Sequence, residues 1–221
     1  QGEGIVKRLN ELRIPIMLFD QTLDSYEGDG ILFDFYQGAY LSTEYLIQCG
    51  HRDIVFCSGP INRYSRRVMY EGYKQALKDY NLGISKKRLI GTIPEPDTYG
   101  EGEYQLGKAL GQMLLERDYL PDAIVTINDI TAIGVINYLY SEGIQVPHDI
   151  SIMGFDDISI CEMVTPPLST IHQPAFDTGK QAAKYLLDKI EGQITEPVHI
   201  TMNPVLVERK SVRKIHRKVR R

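Results

Sequence analysis

No stretch of this 221-residue chain approaches the roughly 18 consecutive apolar residues a membrane-crossing helix requires, so no helical span is expected. No charged-then-apolar secretion signal opens it either, although a chain beginning at Gln1 says little on that point. Cysteine is scarce: Cys49, Cys57 and Cys161 are odd in number and lack metal-site spacing. That argues against a disulfide framework, and all three read as reduced thiols of a cytosolic protein. Cys57 lies within Ile54-Val55-Phe56-Cys57, where a free thiol behaves as a small hydrophobe.

Patterns that carry catalysis are also missing. His51, His148, His172, His199 and His216 are scattered, without zinc-ligand spacing. There is no Gly-x-Ser-x-Gly nucleophile elbow. Gly100-Glu101-Gly102 is followed by Gly107 rather than by a glycine three residues on, and it does not directly follow a strand, so the dinucleotide fingerprint fails. Asp156 and Asp157 are adjacent, which sends their side chains apart instead of forming an acid/base pair. The expectation is a protein that is not an enzyme and holds neither cofactor nor metal.

Charge is unevenly spread. The net charge is −4, yet Arg213, Lys214, Arg217, Lys218, Arg220 and Arg221 all fall in the last ten residues; setting those six positives aside leaves −10 on the body. A body so acidic repels phosphate backbones. The basic tail, 212–221, is expected to be solvated, with nucleic-acid contact as its alternative.

What is present is an alternation of strand-like and helix-like segments. Short apolar runs at 14–19, 30–34, 53–58, 89–93, 123–127 and 150–155 alternate with helical stretches at 36–49, 65–80, 100–117, 130–141 and 176–190. The closing apolar stretch, 198–207, reads as strand interrupted at Pro204. Ser65 is a plausible N-cap for the second helix, and Asp129 for the fourth. Strands separated by helices of ten or more residues imply crossover units and a parallel sheet. The strands lack period-2 polarity, as expected where helices cover both faces. The class is α/β.

Ligands of open α/β sheets bind beyond the carboxyl ends of the strands. The residues there are polar: Asp20 and Gln21, Asp34, Ser58, Asn128 and Asp129, Asp156 and Asp157, His172 and Gln173. Such an edge is rich in hydrogen-bonding groups and poor in fixed positive charge. It suits a polyhydroxylated or amine-bearing ligand better than a phosphate.

Several strings, in order over about 200 residues, carry a resemblance. They are the helix from Gly38-Ala39 to Gly50-His51-Arg52-Asp53-Ile54, the helix from Ser65 through Gly72-Tyr73 to Ala76-Leu77, and Asn128-Asp129 after a strand. Val146-Pro147-His148-Asp149-Ile150-Ser151-Ile152-Met153-Gly154-Phe155-Asp156-Asp157 follows, then Pro166-Pro167-Leu168-Ser169-Thr170-Ile171-His172-Gln173-Pro174 and Leu206-Val207-Glu208-Arg209-Lys210-Ser211. Together they resemble the lactose/galactose-repressor family of bacterial transcription regulators more than the periplasmic sugar-binding proteins of the same fold.

The resemblance implies a two-lobed periplasmic-binding-protein-like fold whose first lobe is incomplete here. Residues 1–50 and 174–197 would form part of the first lobe, and 51–173 with 198–211 the second. It implies a homodimer that binds a small sugar-like effector between the lobes. DNA would be reached only through an amino-terminal helix-turn-helix that this chain lacks, and a longer natural polypeptide is expected. Asp156 is the implied effector-binding carboxylate, its alternative being to cap the following turn, while Asp157 is assigned a structural role. Asn128, Gln173, Gln37, Ser65 and Arg67 are the other implied contacts; Gln173 could instead be an exposed hinge residue. Three residues before Gly72 the family commonly has an effector-gripping arginine, and here stands Met69. Arg66 or Arg67 could substitute. The alternative function is a stand-alone carbohydrate-binding protein that serves a transporter.

Overall fold

The computed structural model describes residues 2–12, 14–20, 26–91 and 101–215. In chain order its helices and strands are α1 (Gly2–Glu11), β1 (Met17–Phe19), β2 (Asp29–Phe33), α2 (Phe35–Gln48), β3 (Ile54–Cys57), α3 (Tyr64–Asp79), β4 (Leu89–Ile90), α4 (Glu101–Leu115), β5 (Ala123–Thr126), α5 (Asp129–Ser141), β6 (Ser151–Met153), β7 (Thr170–His172), α6 (Ala175–Ile190), β8 (His199–Met202) and β9 (Val205–Val207). They form two compact units, Gln1–Asp34 with Gln173–Asn203, and Phe35–His172 with Pro204–Arg221. Among the described residues no helix is long and apolar enough to cross a membrane.

The first unit is built on a three-stranded parallel sheet in the order β1-β2-β8. Its core is small: Met17, Ile31 and Ala182 are buried, with Tyr185, Leu186, Ile200 and Met202 packed against them. Asp29 is buried at the start of β2. One of its oxygens takes both the Lys189 ammonium, at 2.8 Å, and the Val198 N–H, at 2.7 Å. A charge taken from water this way stays only because it is paired and hydrogen-bonded.

The second unit carries a four-stranded sheet in the order β4-β3-β5-β6, parallel throughout. Every residue of β3, β5 and β6 is buried. That burial explains the missing polar alternation, because helices cover the sheet instead of solvent. Helices α2 and α3 pack on each other, as do α4 and α5. The second pair approaches backbone to backbone: a Cβ on Gly134 would lie 2.3 Å from the Tyr104 carbonyl oxygen and 3.0 Å from the Gly107 Cα. An antiparallel pair, β7 and β9, completes the unit.

Several expectations from the sequence need correction. The units divide after Asp34 and after Asn203, not after residues 50 and 197. Helix α2 packs on α3 and so belongs to the second unit, whereas β8 pairs in parallel with β2 and so belongs to the first. Pro204 marks that change of sheet. Ser65 is not an N-cap: α3 begins at Tyr64, with Arg63 in the cap position and no side-chain cap bond. Asp129 is not a cap either, because Asn128 holds that place and its side chain accepts the Thr131 N–H at 2.8 Å.

The basic tail is not wholly solvated. The Arg213 N–H donates to Ser151 Oγ at 3.1 Å, His51 Nε2 meets the Arg213 carbonyl at 3.0 Å, and the Ile215 N–H donates to the Cys49 carbonyl at 2.7 Å. Residues 212–215 are thereby strapped to the second unit. Gln21, residues 92–93 of the expected fourth strand, Gly100, and the tail from His216 on (Arg217, Lys218, Arg220 and Arg221 among them) lie outside the described residues.

The close approach of α4 and α5 sets a sign for substitution. Alanine gains about 1 kcal/mol over glycine in helix propensity. Overpacking against rigid backbone costs about 1–3 kcal/mol or more. Gly134→Ala is therefore expected to lower stability by about 1–2 kcal/mol in urea unfolding followed by circular dichroism. Gly179→Ala, on α6 with nothing within 4 Å of the added carbon, should raise it by about 0.5–1 kcal/mol. A stabilised Gly134→Ala protein would mean that the helices separate freely.

Candidate functional site

Because β3, β5 and β6 are adjacent and parallel, the segments that leave them emerge at one edge of the second unit. Ser58 follows β3, Asn128 follows β5, and Gly154-Phe155-Asp156-Asp157 follows β6. Helix α3 starts a few residues beyond β3, which puts Ser65 and Arg67 in its first turn at that edge. Helix α2 feeds the opposite end of β3 through Gly50, so its own first turn, with Gln37, lies at the same edge. Phe35 and Gly38 flank Gln37 and pack on the Phe155 ring, which stacks with Phe35 at a centroid distance of 6.1 Å.

Five of the six expected residues therefore belong to one edge of one unit. Gln37, Ser65, Asn128 and Asp156 are half-buried there, and Arg67 is exposed. Arg66 is turned inward, 5% exposed, its guanidinium 3.4 Å from the Pro60 carbonyl. Met69 is buried in the core at 2% exposure. Gln173 belongs to the first unit. There it helps line a hollow of about 150 Å³ with Asp20, Phe19, Phe33 and Thr178. The Asp20 carboxylate accepts the Phe33 N–H at 2.7 Å, and burial raises its pKa.

The turn after β6 is the most constrained part of the edge. Asp156 and Asp157 are consecutive non-glycine residues with positive φ, +117° and +61°. Such conformations cost on the order of 1–3 kcal/mol each and persist where the surroundings over-determine them. The Asp156 N–H donates to the Ile171 carbonyl at 2.8 Å. The Asp157 carboxylate accepts from His172 Nδ1 at 2.9 Å and pairs with Arg209 Nη2 at 2.7 Å. Arg209 also donates to the Leu168 carbonyl at 3.0 Å and to Glu162 at 3.2 Å. Asp157 thus holds β7 and the chain after β9 to the turn.

The largest surprise is Asp129, fully buried at the start of α5. Its carboxylate accepts the Thr170 hydroxyl at 2.6 Å and the Ile158 N–H at 3.0 Å. Burial raises its pKa and these donors pull it back. Gly154 makes room, since a Cβ there would sit 2.1 Å from an Asp129 oxygen. Neither Asp129 nor Arg209 stands out in the sequence as part of the site. The only signal for Asp129 is a second polar residue beside the cap, and it cannot tell a cap from a buried hub.

Cys49, Cys57 and Cys161 are all free and buried. Burial pushes the Cys57 thiol up to about 12 and raises the other two, so none is poised as a nucleophile. Among the described residues no three of His, Cys, Asp and Glu converge as metal ligands. The edge offers hydroxyl, amide and carboxylate groups suited to binding a polar molecule.

The periplasmic binding protein-like domain family matches residues 43–212. The HTH-type transcriptional repressor PurR of Pasteurella multocida (strain Pm70) is 34% identical over 204 residues, 92% of this chain and 59% of that protein. The ribose operon repressor of Escherichia coli (strain K12) is 34% identical over 201 residues, 90% of this chain and 58% of that protein. The chain thus spans about three-fifths of the length of these relatives. A LacI family transcriptional regulator from Enterococcus faecium with bound ribose superposes with a TM-score of 0.82 at 29% identity, over 98% of this chain and 77% of that one. A sugar-binding transcriptional regulator of the LacI family from Escherichia coli, complexed with phosphate, gives 0.83 at 26% identity, over 97% and 74%.

Breaking the Arg209–Asp157 pair leaves a largely buried carboxylate with His172 as its remaining side-chain partner. Arg209→Met is expected to cost about 3 kcal/mol in urea unfolding. Adding Asp157→Asn removes the orphaned charge and should recover part of that loss. A double variant less stable than Arg209→Met alone would show that the charge pair is not the interaction lost.

Proposed function

This chain belongs to the periplasmic binding protein-like domain family, in the form it takes in LacI-family transcriptional regulators, and we propose that it is the effector-sensing part of such a regulator. The carrying observation is the polar edge of the second unit, where Asp156 is presented from a constrained turn beside Asn128. A carboxylate can accept two hydroxyls of one ligand and so fix its orientation. Asn128 has its side-chain oxygen engaged in capping α5, which leaves its amide N–H₂ as the group to offer. Gln37, Ser65 and Arg67 supply further polar contacts. A part for Gln173 rests on the family resemblance alone.

The effector proposed is a small polyhydroxylated molecule. Relatives of this chain include a ribose operon repressor and a regulator with ribose bound. Met69 stands where the family commonly has an arginine, so Arg67 is assigned the cationic contact at this edge. The protein would act as a cytoplasmic homodimer and reach DNA through a helix-turn-helix elsewhere in a longer polypeptide. An effector can shift operator affinity only through a difference in its own affinity for two arrangements of the protein. The relatives are transcriptional repressors and regulators rather than enzymes. That favours a regulator over a stand-alone carbohydrate-binding protein serving a transporter.

D-ribose and a panel of related sugars provide the test, by thermal shift on the whole chain and on Asp156→Ala. A ligand at 100 times its Kd stabilises the folded state by about 2.7 kcal/mol, a rise of about 5–11 °C in Tm for a protein of this size, at about 2–4 °C per kcal/mol. The expected result is a dose-dependent rise in the unmodified chain and none in Asp156→Ala. Equal rises in both would remove Asp156 from the site. The absence of any rise across the panel would overturn the sugar reading.

A further inference from the structure

The structure assigns Asp129 a role beyond packing: we propose that it is the positioning residue for Asp156, and that effector binding at this edge depends on it. The inference rests on the reading of Asp156 as an effector ligand. Two contacts between this one residue and the turn backbone bracket Asp156. The Asp129 N–H donates to the Phe155 carbonyl at 2.8 Å, on one side of Asp156. Its carboxylate takes the N–H group of Ile158 at 3.0 Å on the other. One of the donors to that carboxylate, the Ile158 backbone N–H, can only donate, so an oxygen must face it.

The carboxylate is itself anchored from outside the turn. Thr170 on β7 donates to it at 2.6 Å. Asp129 therefore ties β7 and the Ile158 flank of the 154–158 turn to its two carboxylate oxygens, and the Phe155 flank to its backbone N–H at the start of α5. Asp156 at φ +117° and Asp157 at φ +61° have no local reason to hold those conformations. Glycine at 154, with no room for a Cβ beside the Asp129 oxygen, is the complementary concession on the turn side. Without Asp129 the strained pair can relax, and the Asp156 carboxylate moves with its backbone. The ligand-facing and buried members of the assembly are separate residues: Asp156 is half-buried at the edge, and Asp129 is fully enclosed beneath it.

The test uses Asp129→Asn in the whole chain, which keeps the shape but turns an N–H₂ toward at least one donor. The first readout is amide hydrogen exchange, followed by NMR, at Asp156, whose N–H bonds to Ile171 and not to Asp129. Exchange there should speed up at least tenfold, while amides in β3 and β5 keep their protection. The second is D-ribose affinity by calorimetry in a double-mutant cycle. Asp129→Asn should weaken binding at least tenfold when Asp156 is present and less than twofold in the Asp156→Ala background. Thr170→Val keeps the carboxylate and removes one anchor. It should move both readouts in the same direction by less, and it serves if Asp129→Asn does not fold. Unchanged exchange at Asp156, or equal losses of affinity in both backgrounds, would overturn the proposal. If the unmodified chain binds no ribose, the ribose reading falls, and exchange at Asp156 alone decides whether Asp129 positions the turn.

Discussion

All strands of the second unit's main sheet run the same way, and that single constraint shapes the molecule. A parallel strand cannot pass the chain to its neighbour by a tight turn; it needs a crossover, and here each crossover carries a helix. The strand ends and helix starts then accumulate at one edge. Helix starts leave backbone N–H groups without partners inside the helix, so the edge is polar whatever its exact sequence. The strands between are enclosed by helices and are apolar for the same reason. A polar edge and a buried sheet are two consequences of one topology.

Within that frame, buried charges do the local positioning. A carboxylate removed from water is costly unless its lone pairs are met. Asp129, Asp157 and Asp29 each solve this differently. Asp129 takes a hydroxyl on one oxygen and a backbone N–H on the other. Asp157 takes a guanidinium and an imidazole. Asp29, in the first unit, takes an ammonium and a backbone N–H on one oxygen. Each carboxylate draws separate chain segments to one point, with a directionality that apolar packing lacks. The turn bearing Asp156 lies between two of them, and this is where the backbone departs furthest from ordinary φ values.

Met69 gives the candidate site its individual character. An arginine at that position would bring a fixed positive charge; the methionine is buried and brings none. Of the neighbouring cations, Arg66 turns inward toward the Pro60 carbonyl, while Arg67 stays exposed in the first turn of α3. The edge is thereby left dominated by neutral and acidic hydrogen-bonding groups. Chemistry of that kind matches hydroxyls better than phosphates.

The sequence by itself determined the class and the order of the elements. The switch between short apolar runs and amphipathic stretches is a local property, carried by residues a few positions apart. It also pointed to the polar residues after β3, β5 and β6, because residues after each strand can be read directly once the sheet is known to be parallel, although Asp20, Asp34 and Gln173, read with them, fall in the other unit. The tertiary structure alone decided which segments share a unit. Asp34 is the only residue between β2 and α2, and nothing in its neighbourhood announces that the chain changes unit there. Likewise Pro204 reads as an interruption within one strand, whereas β8 and β9 lie in different sheets because their pairing partners are distant in sequence. Asn128 and Asp129 show the same limit at the scale of two residues. Both are short, polar and suited to capping, yet one caps the helix and the other becomes a buried hub. The difference lies in Thr170, Ile158 and Gly154, residues 25 to 41 positions away, and only folding brings those groups within reach of the carboxylate.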